Sequence, residues 1–283
     1  MPHIAFATYR EIPEIGLDDA PVADALRRVG VAVSPAVWDD ATIDWQNFDA
    51  VVIRSTWDYF SQPTEYAAWV RQFASSGTKL WNPVAAILGN LHKSYLATLP
   101  GAVPTEYVPA GSERRLGTIL TDRGWPEAVV KPAISAGAVG TWRTSRIALD
   151  EQRFAGQVRT ADVLVQPYLA EVETVGEWSL VFFHGRFSHA VLKRPATGDF
   201  RVQEHLGGCS ALAEASVELI TQAEAALVAV GHSLLYARVD GVERGGRLLL
   251  TEMEITEPYL FLRLADGAAE RFAAAILEVL PVG

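Results

Sequence analysis

Apolar and polar positions along the chain change period several times, and each change marks an element. His3–Ala7 is a short apolar run that reads as a first strand. Asp18 or Asp19 is placed to cap a helix running to Val29, with Gly30 as its stop. Val31–Val37 reads as a second strand. Ala50–Ile53 reads as a third, a continuous apolar run of the kind buried in parallel sheets. Pro63 opens a helix to about Ala74, and Lys79–Trp81 is a short strand before Asn82-Pro83. Strand alternating with helix predicts an α/β unit over residues 1–90, with ligands beyond the carboxyl ends of its strands. The Tyr9-Arg10-Glu11 loop and the Arg54-Ser55-Thr56-Trp57-Asp58-Tyr59 segment lie at such ends. Arg54 has two readings there: a bidentate clamp on a substrate carboxylate, or a surface ion pair with Asp58.

Beyond residue 90 the elements shorten. A helix over His92–Leu99 carries Lys93. A strand at Thr105–Val108, a helix at Ser112–Arg123, a strand at Val129–Lys131 and a helix near Asp150–Val158 make a small unit, 91–165, with the character of a lid. Val163–Gln166 is apolar and runs into Gln166-Pro167-Tyr168-Leu169, where proline lacks an N–H and strand pairing should stop. Trp178–Phe183 and Arg186–Leu192 are joined by the hairpin turn His184-Gly185. A long helix is expected over Ala211–Val230, a strand from Leu234 ending at Asp240, and a strand at Arg247–Thr251 leading into Glu252-Met253-Glu254. Asp266 is placed to cap a last helix to about Leu280. The third unit is therefore 166–283, and the class is α/β with α+β character in the C-terminal part.

Composition narrows the function. The net charge is −10, which argues against a nucleic-acid partner and requires any anionic ligand to be held by a local group of bases. Cys209 is the sole cysteine, so no intramolecular disulfide can form, which suits a reducing cytoplasm; beside Gly207-Gly208 it reads as a small inert residue. No run of 18 apolar residues and no leader pattern are present, so neither a membrane span nor secretion is expected.

The chemistry concentrates in a few stretches. Ala128–Thr141, AVVKPAISAGAVGT, places Lys131 at the end of an apolar run and follows it with a loop containing Ser135, Gly137 and Gly140. Small residues let backbone N–H groups approach an anion, and a lysine adds a point charge suited to phosphate; an ordinary strand end and turn is the alternative. Glu171, Glu173 and Glu177 offer carboxylates to ribose hydroxyls, or form a solvated acidic turn. Lys193, Arg194 and Arg201 bring bases together in an acidic protein, for phosphate or as an exposed turn. Glu252 and Glu254, two apart in an extended segment, face one side of a sheet, and Asp240 faces them across a hairpin. Such acids repel unless a cation lies between them, and Mg²⁺ binds through one or two carboxylates plus phosphates. The alternative is the polar face of an edge strand. HExxH, GxxxxGK[ST] and GxGxxG do not occur.

The ordered series Lys93, Val130-Lys131-Pro132, Gln166-Pro167-Tyr168-Leu169, Glu173, Gly198-Asp199-Phe200-Arg201, Asp240 and Glu252-x-Glu254 resembles the ATP-grasp ligases across Asn82 to Glu257. It is similar to their glutathione-synthetase and ribosomal-protein glutamate-ligase side. The passages Gly176–Phe183 and His189–Gly208 resemble most the ligases that form D-cycloserine from O-ureido-D-serine. The resemblance implies an ATP-grasp fold with an N-terminal α/β domain, a central lid and a C-terminal mixed-sheet domain. It implies ATP and Mg²⁺ as cofactors and an ADP-forming carboxylate-amine ligation through an acyl phosphate. A small-molecule kinase and a nucleotide-binding regulator remain open on the same scaffold.

The resemblance also implies roles. Lys93 and Lys131 contact the α- and β-phosphates, and Ser135 to Gly140 form a flap over them. Gln166, Pro167, Tyr168 and Leu169 hold adenine and Glu173 holds ribose. Asp240, Glu252 and Glu254 ligate metal, and Lys193 and Arg201 face the γ-phosphate and acyl phosphate. Arg54, Asp58, Glu257 and Tyr259 are candidates for an amino-acid-like substrate; a homodimer is left open. The chain departs from the family pattern twice. Glu254 stands where asparagine is frequent, and Glu177-Trp178-Ser179 stands where Asp-x-Arg is common, so an expected cation is absent unless Lys193-Arg194 replaces it.

Overall fold

Strands His3–Thr8 (β1), Ala32–Val37 (β2), Ala50–Ile53 (β3) and Lys79–Trp81 (β4) form a parallel sheet in the order β2-β1-β3-β4. The computed structural model describes residues 1–144 and 147–280. Helices Ala20–Arg28 (α1), Pro63–Gln72 (α2) and Val84–Asn90 (α3) connect and follow these strands. β3 is buried along its whole length, as its unbroken apolar run requires. One face of the sheet packs against an aromatic cluster that includes Trp38, Trp45, Tyr66, Trp69 and Phe73. Asp19 precedes α1, but its carboxylate does not cap the helix; it turns inward to Arg54.

The middle of the chain builds a second sheet. Its elements are Glu106–Val108 (β5), Leu116–Arg123 (α4), Ala128–Pro132 (β6), Trp142–Thr144 (β7), Ile147–Val158 (α5) and Val163–Pro167 (β8). The strands lie antiparallel in the order β5-β8-β6-β7, and Leu120, Val130, Phe154 and Val165 fill the core beneath the two helices. The small-residue loop is the connection between β6 and β7. Pro167 is the last residue of the β6–β8 ladder, opposite Ala128. β8 runs through the position 165/166 at which a unit boundary was expected.

The remaining elements are Glu171–Thr174 (α6), Glu177–Phe183 (β9), Arg186–Arg194 (β10), Cys209–Ala213 (β11), Val217–Ala229 (α7), Tyr236–Arg244 (β12), Arg247–Glu254 (β13) and Ala268–Val279 (α8). Their antiparallel sheet has the order β11-β10-β9-β12-β13. His184 and Gly185 both take positive φ, 48° and 74°, as a tight hairpin requires. Two expectations need correction. Residues 211–213, read as the start of a long helix, belong instead to the edge strand Cys209–Ala213 on β10, and the helix begins only after Ser216, whose hydroxyl accepts from the Leu219 N–H. β12 does not end at Asp240 but continues to Arg244, with the register shifting between Asp240 and Gly241.

The first and third sheets share a core. Val181, Phe183 and Tyr236 pack with Ile4, Phe6 and Val52, and Phe272 of α8 stacks on Phe183 at 4.8 Å. Asn82 splices the two sheets: its Nδ2 donates to Tyr236 O (2.9 Å) and Ile255 O (2.6 Å), and its Oδ1 accepts from Leu235 N (2.7 Å). Among the described residues no helix is long and apolar enough to cross a membrane.

Replacing Asn82 by Ala leaves these three buried backbone groups without their partner. We expect a loss of about 3 kcal/mol or more, read as a lower urea midpoint of unfolding.

Candidate active site

The three sheets meet around a cleft of about 940 Å³, with walls from all three. β12 and β13 supply its acidic floor. Asp240 lies opposite Glu252 and Arg238 opposite Glu254 in the ladder, so all four side chains share one face. Two residues earlier that face is apolar at Tyr236, where it packs into the shared core.

Each acid is answered by a base from a different part of the chain. Lys93, in a 3-10 helix Lys93–Thr98, reaches Glu252 at 2.9 Å and donates to Ser135 O at 2.5 Å. Lys193 on β10 lies 2.9 Å from Glu177 and 3.4 Å from Asp240. Arg238 forks onto Asp240 (2.8–3.0 Å), pairs with Glu254 and donates to Tyr259 O at 2.9 Å. Ser179 Oγ donates to Asp240 at 2.5 Å. Burial raises the Asp240 carboxyl, but Arg238 and Lys193 overturn that and hold it at about 2. Burial also opposes the charge on Glu252, yet Lys93 and Lys131 keep its pKa below the ordinary value. Glu254 differs: burial lifts it to about 7, with Glu252 and Asp240 adding to the lift and Arg238 opposing it.

Arg238 was not anticipated. It stands two residues before Asp240, on the strand that carries that acid. Strand parity was the available signal, since Arg238 and Asp240 necessarily point the same way.

Lys131 at the end of β6 behaves differently from the other bases. It is buried, donates to Thr251 O at 3.1 Å, and makes no ion pair among the described residues. Burial lowers its pKa, with Glu252 resisting. Above it lies the β6–β7 loop, in which Gly137 and Ala138 take φ of 59° and 61°. Gly140 has φ of 71°, and a Cβ there would fall 2.8 Å from Pro132 Cγ. Ser135, Gly137 and Ala138 line the cleft; Gly140 sits behind it.

β13 is an edge strand, and its outer backbone groups are met by side chains. Asn90 Nδ2 donates to Met253 O (2.9 Å) while its Oδ1 accepts from Ile255 N (3.2 Å). Met253 N donates to the Tyr95 hydroxyl at 3.0 Å. Together with Lys131 on Thr251 O, these contacts fix the strand that carries Glu252 and Glu254. No local pattern announces Asn90 or Tyr95 as partners of a strand some 160 residues later.

Gln166, Pro167, Tyr168 and Leu169 line the cleft, and Gln166 Nε2 donates to Thr105 Oγ1 at 2.9 Å. Glu173 is not brought into the cleft. It stands at the rim, 2.9 Å from Arg143 and hydrogen-bonded by the Tyr168 hydroxyl, while the Arg143 guanidinium lies 3.6 Å from the Tyr168 ring centroid. Arg201 lines the cleft but is forked onto its neighbour Asp199 at 2.7 Å.

Arg54 is a correction. It is 2 % exposed and neither faces a substrate nor meets Asp58. Its guanidinium pairs with Asp19 at 2.8 Å, donates to Pro258 O at 3.2 Å and lies against the Tyr236 and Phe272 rings. Asp58 instead accepts from Trp38 Nε1 at 2.8 Å and lines the cleft, as do Glu257 and Tyr259. Burial and the nearby Glu254 push Glu257 up to about 8.

The donor set suits a hard divalent ion. Three carboxylates share one face, yet among the described residues no three acids, histidines or cysteines gather closely enough to grip an ion by themselves. That is the form expected for Mg²⁺, which takes one or two carboxylates and completes its shell with phosphate and water.

Comparison with known proteins agrees with this architecture. Residues 4–82 match the family described as the N-terminal domain of D-cycloserine synthetase DcsG. The cycloserine biosynthesis protein DcsG of Streptomyces lavendulae is 32% identical over 293 residues, covering 94% of this chain and 95% of that protein. The crystal structure of D-cycloserine synthetase DcsG superposes with a TM-score of 0.89 at 30% identity, covering 99% of this chain and all of that one (100%). A D-alanine–D-alanine ligase from Bacillus anthracis complexed with ATP shares the fold, with a TM-score of 0.69 at 15% identity over 98% of this chain and 97% of that chain. The chain belongs to the ATP-grasp ligases, in the family of the D-cycloserine synthetase DcsG.

Proposed function

We propose that this enzyme uses ATP to activate a substrate carboxylate as an acyl phosphate, releasing ADP, and that a nitrogen of the same amino-acid-like molecule then attacks this carbonyl, expels phosphate and closes a five-membered ring. From O-ureido-D-serine, hydrolysis of the carbamoyl group to ammonia and carbon dioxide completes the conversion to D-cycloserine. The observation that carries the reading is Lys131: a buried cation without an ion pair, under a loop of small residues, beside three acids on one sheet face. A charge taken from water without a partner is costly, and an anion seated against it removes the cost. A triphosphate supplies that anion. The DcsG relatives support ring closure as the reaction, and the ATP complex of the D-alanine–D-alanine ligase supports the nucleotide.

Roles follow from placement. Lys131 and Lys93 hold phosphate oxygens, with Ser135, Gly137 and Ala138 closing over them. Gln166 to Leu169 hold the base, largely through backbone. Glu173, now tied to Arg143, reaches the ribose hydroxyls only when that pair opens. Asp240, Glu252 and Glu254 would hold Mg²⁺, which when bound neutralises phosphate charge and aligns the transferring group. Arg238 lies among these acids, and its guanidinium is placed to stabilise the charge that develops on the acyl phosphate. That part was expected of Arg201; Lys193 and Arg201 complete the basic wall. Positioning and charge neutralisation carry most of the catalysis in phosphoryl transfer, and the substrate then supplies both the activated carbonyl and the nucleophile.

Two measurements test the reading. ADP formation with O-ureido-D-serine should be matched by an equal amount of D-cycloserine; ADP with a phosphorylated product and no ring would point to a kinase. Lys131→Met should weaken ATP binding about tenfold or more while lowering the thermal midpoint only modestly, because the hydrogen bond to Thr251 O and the charge that bears on Glu252 are lost together. A lower midpoint with unchanged ATP affinity would assign Lys131 to the scaffold instead.

A further inference from the structure

The side of the cleft built from the carboxyl ends of β1 and β3 has no base. These ends contribute Tyr9, Glu11, Trp57 and Asp58, while Arg10 turns outward to Asp39 and Arg54 is sealed against Asp19. Tyr59 and Tyr259 extend the aromatic wall. Facing this wall is Glu257, three residues beyond Glu254. It is 7 % exposed, and its carboxyl makes no hydrogen bond or ion pair among the described residues, yet it lines the cleft. A group so buried is ordinarily satisfied by the fold, and one left open invites a ligand to complete it.

The backbone that presents Glu257 is fixed on both sides. Trp57 Nε1 donates to Glu257 O at 3.1 Å, and the Tyr236 hydroxyl donates to Thr256 O at 2.9 Å. Thr256 Oγ1 donates to Asn90 Oδ1 at 3.2 Å. A fixed, unpaired acid beside aromatic faces matches an ammonium ion, which takes a carboxylate through charge-assisted hydrogen bonds and an aromatic ring through its π face. Among the described residues the carboxyl ends of β1 and β3 offer an anion no cation, and Lys93, whose charge bears on Glu257, is already paired with Glu252.

We propose that Glu257 is the anchor for the substrate's ammonium group, with the aromatic wall around Trp57 enclosing it. The assignment rests on the ligase reading and sharpens it: the substrate is an amino acid whose carboxylate points to Arg238 and the acidic floor, and whose ammonium points to Glu257. Asp58 lies next to Trp57 and adds negative potential to the same subsite.

The test compares O-ureido-D-serine with its des-amino analogue, in which hydrogen replaces the ammonium, by calorimetric binding to the full-length protein and by ADP formation. Wild type should bind the amino compound about tenfold or more tightly than the analogue, the strength expected of one charge-assisted contact. In Glu257→Gln that preference should vanish through weaker binding of the amino compound, with affinity for the analogue and for ATP unchanged. Glu257→Asp, which keeps the charge on a shorter arm, should fall between. Equal weakening of both compounds, a preserved preference, or failure of the amino compound to bind wild type would overturn the proposal. Binding with the predicted preference but no ADP formation would leave the anchor in place and remove the ligase reading.

Discussion

Three carboxylates crowded on one face of a cleft must be neutralised, and the acids of the β12–β13 ladder set that requirement for the whole molecule. The bases that meet it come from a 3-10 helix after the first sheet, from β10, and from β12 itself. None of these pairs is local except Arg238 with Asp240. Folding the three sheets around one cleft is therefore also the act of compensating its charges. The third sheet answers Asp240 and Glu254 with its own Lys193 and Arg238, whereas Glu252 is paired by Lys93 from outside that sheet.

The same economy appears in the backbone. β13 lies at the edge of its sheet and would expose hydrogen-bonding groups along the strand that bears Glu252 and Glu254. Asn90, Tyr95 and Lys131 occupy those groups. Asn82 does the equivalent at the junction of the first and third sheets. Polar side chains thus tie strand ends together where the apolar cores stop, while the β6–β7 loop, rich in glycine, is held by fewer contacts, from Lys93 to Ser135 O and from Gln157 to Gly140 O. A tied floor under a less tightly held loop suits the transfer of a phosphoryl group, in which geometry matters more than covalent participation.

Much of this was legible in the sequence. The strands of the first sheet and the hairpin at His184-Gly185 follow from apolar runs and turn chemistry, the shared face of Glu252 and Glu254 follows from strand parity, and the gathering of Lys93, Lys131 and Lys193 with the acids was implied by the resemblance to the ATP-grasp ligases. What escaped was set by distant packing. Arg54 looked exposed at a strand end, but Asp19 and the Tyr236 and Phe272 rings bury it. Residues 211–213 looked helical because alanine and leucine favour helices, yet the open edge of β10 claims them as part of a strand. Arg238 was overlooked because the strand was ended at Asp240, which hid the parity that joins the two. Asn90 and Tyr95 carry no local sign of their partners at all.

The central claim is that Lys93, Lys131 and the acids on β12 and β13 converge around a triphosphate and its divalent ions. It is tested most directly by a crystal structure with a non-hydrolysable ATP analogue and Mn²⁺, whose anomalous signal locates the metal. The account predicts metal density among Asp240, Glu252 and Glu254, with phosphate oxygens on Lys93 and Lys131. An analogue bound elsewhere, or bound here with no metal on those acids, would contradict it.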